Sequence, residues 1–199
     1  MSPAWRIFLR LATLSPAALA AAAGAQPPAS TATIVQFYTV CSDCHEGECS
    51  GRLSFDSGAA AARSHIERYL GTASDVHVAE LFAMLRHVKE SCSHYPAAPI
   101  RPAAGIREAA ELAPWRNAMA GAYFIPLGRL VAGRRQLRLE FDGAADGSAR
   151  IDDDRTETVA DERLGNDTVK AIEFDAGANT SYFLHLKVDA GVLRRITVR

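Results

Sequence analysis

The sequence predicts an α+β protein, in which a small all-α module is followed by an antiparallel β-sandwich. Apolar residues recur at helical spacing before residue 95, whereas apolar and polar residues alternate after residue 121. A Pro- and Ala-rich stretch separates the two patterns. The expected division is therefore a signal peptide at residues 1–25, a helical module at 26–95, a linker with a short helix at 96–120, and a β-sandwich at 121–199.

The N-terminal segment has the features of a secretory signal. Arg6 and Arg10 precede an Ala- and Leu-rich run from residue 11 to residue 23, and Ala23-Gly24-Ala25 is a small-residue cleavage site. An uncleaved anchor is the alternative, but the apolar run is short for a membrane span and contains Pro16. We expect an exported protein with no stable membrane span after cleavage.

The composition excludes some classes of function. The 199 residues carry a formal net charge of −1, and the basic side chains are scattered, so no nucleic-acid partner is expected. The chain has no G-x-S-x-G motif, no phosphate-binding glycine loop and no evident pairing of a nucleophile with a base. We therefore expect a protein that is not an enzyme.

The pentapeptide Cys41-Ser42-Asp43-Cys44-His45 is the most informative motif. In a C-x-x-C-H motif, Cys41 and Cys44 can form thioether bonds to the two vinyl groups of one haem, and His45 then supplies the proximal axial nitrogen. A thioredoxin-like redox pair, a zinc site with two further ligands, or a disulfide followed by an incidental histidine are the alternatives.

This motif resembles that of class I c-type cytochromes. The segment from Ala79 to Lys89 also resembles the C-terminal helix of small cytochromes c, which crosses the N-terminal helix in that family. The resemblance implies one covalently attached haem c, electron transfer, assembly in the periplasm, and a periplasmic redox protein or enzyme as partner. It also implies a helix at residues 34–40, where β-branched residues alone favour a strand.

Two further helices are predicted in the same module. Ser57 can cap a helix that runs from Gly58 to Leu70 and ends at Gly71. Ser74 or Asp75 can cap the next helix, which extends to about residue 91 with apolar residues at helical spacing.

The distal haem ligand is left open by the sequence. The loop that carries the distal methionine in class I cytochromes is reduced here to residues 71–74, which puts the family's Met/His ligation in doubt. His77, His65 and Met84 are the candidate distal ligands, and an open iron position is the remaining possibility. His87 and His94 are expected to face solvent.

The two cysteines outside the motif are expected to pair. Haem attachment would use Cys41 and Cys44, which leaves Cys49 and Cys92 in an oxidising compartment. A Cys49–Cys92 disulfide would close a loop of roughly 44 residues and stabilise the fold by about 4 kcal/mol in the chain-entropy model. The alternatives are two buried thiols, or a bond to Cys41 or Cys44 in a haem-free chain.

The C-terminal part alternates in the manner of short strands separated by Gly- and Asp-rich turns. We expect about six strands, with Pro126 marking an edge or bulged strand. The run Asp152-Asp153-Asp154 does not match an EF-hand loop and is interpreted as a solvated loop. His185 has no partner at catalytic spacing and is expected to face away from the apolar side of its strand.

The favoured function is electron transfer by a periplasmic monohaem c-type cytochrome, with the β-domain docking a partner. One alternative is a haem-based gas sensor or small peroxidase with an open iron site. The other is a secreted, disulfide-stapled binding protein without haem.

Overall fold

The computed structural model describes residues 29–45, 58–97 and 105–199. The predicted signal peptide, the predicted helix cap Ser57 and one half of the predicted disulfide, Cys49, lie outside these residues.

The first described part of the chain is helical. Helix α1 (Thr31–Gln36) continues through a π-helical turn (Phe37–Cys41) into α2 (Ser42–His45), and a 3₁₀ turn (Ala59–Ala62) leads into α3 (Arg63–Leu70) and α4 (Asp75–Ser91). The predicted helices are confirmed here, including helix rather than strand at residues 34–40. Ser74 caps α4, since its hydroxyl oxygen accepts a hydrogen bond from the backbone N–H of His77.

The second part of the chain forms an antiparallel sheet. Its elements are β1 (Ile106–Glu108), α5 (Ala109–Leu112), a 3₁₀ turn (Ala113–Trp115), β2 (Arg116–Asn117), β3 (Ala122–Arg129), β4 (Gly133–Asp153), β5 (Thr158–Ala176) and β6 (Ser181–Val198). The strand order is β2-β3-β6-β4-β5, and β1 also pairs with β6. No helix in the described ranges is long and apolar enough to cross a membrane.

The predicted fold class is wrong. The described strands belong to one six-stranded sheet rather than to the two packed sheets of a sandwich. The helices are also not a separate all-α module, because Ile34 and Phe37 belong to the same buried cluster as Phe124 and Leu184 of the sheet. The antiparallel sheet therefore dominates the fold, and the short helices pack on it.

The Gly- and Asp-rich segments, which were expected to be turns between short strands, lie within long strands. Strands β4, β5 and β6 are 21, 19 and 18 residues long, and they run through those segments. The β4–β5 register shifts between Glu140 and Ala145, and the β4–β6 register shifts between Asp142 and Gly147. These glycines and aspartates are bulges within long strands, which bend the sheet without ending it.

The centre of the sheet is buried on both faces. All residues of β3 except Arg129 are buried. In β6, Leu184 is fully buried on one face, while Phe183, on the other, is 6% exposed. The helical part covers this second face, because Tyr38 stacks on Phe124. Strict alternation therefore fails where the helices lie on the sheet.

The predicted bulge at Pro126 is confirmed. The β3–β6 register shifts between Pro126 and Gly128. Arg107, which is 2% exposed, donates hydrogen bonds from its guanidinium group to the carbonyl oxygens of Pro126 and Leu127, at 3.2 and 2.8 Å. A buried cation from β1 thus binds carbonyl groups at the irregular part of the ladder.

Gly147 provides a test of the bulge in β4. Its φ is 142°, and a Cβ atom there would lie 2.1 Å from the carbonyl oxygen of Lys187. We expect Gly147→Ala to lower the free energy of unfolding by about 3 kcal/mol or more, through strain and displacement of β6. Urea unfolding measures the change.

Gly165→Ala is the matched control, since a Cβ atom there meets nothing within 4 Å. It should change the free energy of unfolding by less than about 1 kcal/mol. Equal effects of the two substitutions would contradict the described register.

Candidate functional site

An apolar pocket of about 220 Å³ adjoins the C-x-x-C-H motif. Cys41, Cys44 and His45 line one side, and His65 of α3 lines the pocket with them. Neither Cys41 nor Cys44 forms a disulfide within the described ranges, and Cys44 is exposed. The remaining lining side chains come from the first helical segment, the 3₁₀ turn before α3, α3 and α4, and are Phe37, Val40, Ala62, Ile66, Tyr69, Leu70, Leu81, Phe82 and Leu85.

The π-helical turn sets the position of the motif. The backbone N–H of Ser42 donates to the carbonyl oxygen of Phe37, five residues earlier, and the Ser42 hydroxyl donates to the carbonyl oxygen of Tyr38 at 2.7 Å. Three residues earlier, the Thr39 hydroxyl donates to the carbonyl oxygen of Val35 at 2.7 Å. This wider turn leads from the buried Phe37 and Tyr38 to the exposed Cys44, and such turns are frequent at functional sites.

His45 and His65 lie close together at this pocket. Their ring centroids are 5.7 Å apart, and the ring planes are 74° from parallel. Burial lowers the pKa of His45, and the nearby His65 and Lys89 lower it further. The neutral imidazole, which is the metal-binding form, is therefore favoured at His45.

The structure separates the three candidate distal ligands. Only His65 lines the pocket with His45. His77 lies at the start of α4, where its Nδ1 atom is 3.2 Å from the Thr33 hydroxyl of α1. Met84 is fully buried in the core, and neither it nor His77 is among the described residues that line this pocket.

The donor set fits a covalently attached haem. Two reachable thiols, two imidazoles and apolar walls are the groups that such a cofactor uses. The cavity is smaller than the roughly 300–1,000 Å³ of pockets that enclose whole ligands. The described residues would cover only part of a haem, which suits a cofactor held by covalent bonds.

The pairing of Cys49 with Cys92 remains a prediction, because the structure describes one of these two cysteines. Cys92 is disulfide-bonded, whereas Cys49 lies outside the described residues. Cys92 follows α4 directly and has a left-handed backbone with φ of 50°. A bond at this position would constrain the end of the helix that lines the pocket.

A second cluster, formed by His94, Asp152 and His185, lies between the helical part and the sheet. One ligand atom from each residue lies within 4.8 Å of the others. The Asp152 Oδ2 atom is 3.8 Å from Nε2 of His94 and 3.2 Å from Nε2 of His185. It is also 3.2 Å from Nη2 of Arg150, and the Thr158 hydroxyl donates to Oδ1 at 2.9 Å.

The electrostatics of this cluster follow from its burial. Desolvation, together with the nearby His185 and Arg150, lowers the pKa of His94 to about 3, and Asp152 opposes this shift. For Asp152, desolvation acts to raise the pKa, but His185, Arg150 and Thr158 together lower it. At neutral pH, a carboxylate therefore faces a neutral His94.

The side chain of His94 is 1% exposed, and neither ring nitrogen has a hydrogen-bond partner among the described residues. The Nε2 atom of His185 also lacks one there. Each polar atom that is buried without a hydrogen-bond partner lowers the free energy of unfolding by about 1–3 kcal/mol.

Three sequence-based expectations are wrong in this region. His94 does not face solvent, His185 does have an acidic partner, and Asp152 belongs to β4 instead of a solvated loop. The β4–β6 register places Arg150 opposite His185 and Asp152 opposite Phe183. The alternation of β4 and β6 gave each of these residues its face, but the sequence did not show which strands are neighbours.

Tyr38 connects the pocket to the cluster. Its ring stacks on Phe124 at 3.9 Å between centroids and contacts His94 at 5.1 Å and the pocket residue Phe37 at 5.0 Å. Its hydroxyl oxygen accepts a hydrogen bond from the backbone N–H of Tyr95 at 2.7 Å. The residue three positions before Cys41 is thus held between the sheet and the segment after α4.

A larger cavity, of about 660 Å³, lies between the two sites. His185, Arg150 and Lys187 of the sheet line it, as do Tyr69 and Leu70, which also line the pocket at the motif. Solvent or a small solute can therefore reach the edge of the cluster through this cavity.

No family model matches the chain, and no curated protein matches it. Among solved structures, the chain is similar to a family GH115 4-O-methyl-alpha-glucuronidase with specificity for decorated arabinogalactans, at 14% identity and a TM-score of 0.33. The match covers 70% of this chain and 24% of the glucuronidase chain. A similarity this weak carries no argument about fold or function.

Substitutions at Tyr38 test its anchoring role. Tyr38→Ala removes the ring that packs on Phe124, and we expect it to lower the free energy of unfolding by about 3–5 kcal/mol. Tyr38→Phe keeps the stacking and removes the hydrogen bond from the backbone N–H of Tyr95, so a loss of about 1 kcal/mol is expected. Chemical denaturation measures both values, and equal losses would show that the stacking is not the main contribution.

Proposed function

We propose that this protein is an exported, periplasmic monohaem c-type cytochrome that transfers electrons. One observation carries the proposal: both thiols of the C-x-x-C-H motif, its histidine and His65 line one apolar pocket. If the C-x-x-C-H sequence were a coincidence, we would not expect a second histidine and apolar side chains to line the same pocket.

Cys41 and Cys44 would hold the haem covalently. Each thiol would add across one vinyl group, with a new carbon–sulfur bond at one carbon and the thiol proton at the neighbouring carbon. No net oxidation or reduction is needed. Exposure of Cys44 and partial exposure of Cys41 leave both sulfur atoms accessible for this addition.

His45 and His65 would bind the haem iron. His45 follows the second attachment cysteine directly, and its lowered pKa favours the neutral imidazole. His65 is the candidate distal ligand whose ring lies beside that of His45. Ligation by two histidines lowers the reduction potential relative to Met/His ligation.

When bound, the haem would supply an iron that gains and loses one electron. Around it, Phe37, Leu81 and Phe82 would exclude water from one side. Electron transfer of this kind needs no substrate chemistry from the protein. In this proposal the sheet provides the docking surface for a periplasmic redox protein or enzyme.

Production of the protein in a periplasm with cytochrome maturation tests the attachment. We expect the intact mass to increase by one haem that survives denaturation, and a sharp low-spin spectrum on reduction. The Cys41→Ser/Cys44→Ser double variant should carry no covalent haem. Absence of haem from the wild-type protein would leave the secreted binding protein as the better interpretation.

Three single variants identify the distal ligand. His65→Ala should convert the reduced spectrum to high spin and allow carbon monoxide to bind, because it opens the sixth position. His77→Ala and Met84→Leu are the controls and should keep the low-spin spectrum. If the wild-type ferrous protein already binds carbon monoxide, the iron is open and the sensor or peroxidase alternative replaces electron transfer.

A further inference from the structure

We propose that His94, Asp152 and His185 form a binding site for one divalent transition-metal ion. This site is separate from the C-x-x-C-H pocket and shares none of its described lining residues. The proposal does not rest on haem attachment.

The donor set favours a transition metal. Imidazole nitrogen binds zinc, copper, iron and nickel, whereas calcium and magnesium take oxygen ligands. Two histidines and one carboxylate are also a common set of three protein ligands at sites that leave a further position open.

The distances are close to those of a bound site. With metal–ligand bonds of about 2.1 Å, two ligand atoms in a tetrahedral site are about 3.4 Å apart. The Asp152 Oδ2 atom already lies 3.2 Å from Nε2 of His185 and 3.8 Å from Nε2 of His94. Small side-chain shifts would therefore bring the three ligands around one ion.

The unpartnered nitrogen atoms are the second, independent observation. The His94 side chain is 1% exposed, and both of its ring nitrogens lack hydrogen-bond partners in the described part of the chain. The ion pair between Arg150 and Asp152 gives those two side chains a partner, but it provides none for the ring nitrogens of His94. A metal ion would bind Nε2 of His94 and Nε2 of His185 together.

The surroundings support the ligand positions. The Thr158 hydroxyl holds Oδ1 of Asp152, which leaves Oδ2 directed at the two histidines. The backbone N–H of His94 donates to the carbonyl oxygen of Asp154 at 3.1 Å, which ties the segment after α4 to the end of β4. The site is thus fixed on both the helical and the β side.

Arg150 opposes metal binding and indicates where a fourth ligand enters. Its guanidinium group lies 3.2 Å from the same Asp152 oxygen, but its side chain is 29% exposed and lines the larger cavity. It can turn into that cavity when a metal ion takes its place. Arg150 and Lys187 outnumber Asp161, the acidic residue among the described lining, so water or a small anion suits the fourth position.

The test is a titration of the tag-free mature protein with Zn²⁺ after chelator treatment. Isothermal calorimetry and plasma mass spectrometry should give one zinc per chain. Asp152→Asn and His185→Gln should each raise the dissociation constant for Zn²⁺ by about 100-fold or more. Circular dichroism checks folding, and His185→Gln, at the half-buried edge, keeps the test valid if Asp152→Asn does not fold.

Two controls separate this site from other ligands. His87→Gln, outside the cluster, should bind zinc as the wild-type protein does. The Cys41→Ser/Cys44→Ser variant should also keep one zinc, and X-ray absorption should show nitrogen and oxygen neighbours without sulfur. The proposal is overturned if the wild type binds no stoichiometric zinc, if Asp152→Asn and His185→Gln both bind normally, or if removal of the two cysteines abolishes binding.

Discussion

The stacking of Tyr38 on Phe124 is the contact on which both candidate sites depend. The two rings lie 3.9 Å apart and nearly parallel, and they join the helix that carries the C-x-x-C-H motif to the centre of the sheet. Because Cys41 follows three residues later in the same helical run, this contact fixes where the motif lies. It also forms one wall around His94, whose ring contacts Tyr38.

The bent sheet creates the second site by joining distant parts of the chain. Strands β4 and β6 run antiparallel along most of their length, so Arg150 lies opposite His185. Asp152 follows on the same face, and the helices then bury this face. A carboxylate in such a position needs nearby cations or hydrogen-bond donors, which Arg150 and Thr158 provide. Burial without full pairing is what makes the cluster a candidate binding site.

The two candidate sites differ in how they bind. The C-x-x-C-H pocket relies on covalent chemistry, and its described residues enclose only a small cavity. The cluster relies on three side chains that are already held by the fold. Aromatic contacts from Phe37 through Tyr38 to His94 connect them. Tyr38 therefore holds both sites in place.

Local chemistry alone determined helix α4 and the motif, whereas the helix at residues 34–40 followed from the family resemblance against the local propensity. The Ser74 cap and the apolar spacing of residues 75–91 placed α4, because capping and periodicity depend only on neighbouring residues. The C-x-x-C-H spacing likewise predicted a haem-attachment site without any knowledge of the fold. Only the tertiary structure decided that the strands form one sheet. A glycine such as Gly147 favours a turn when only the local sequence is considered, whereas its pairing with distant residues places it at a bulge within a long strand. The tertiary structure also decided that His94, Asp152 and His185 meet, because contacts between residues 94, 152 and 185 depend on strand order and on the face that the helices cover.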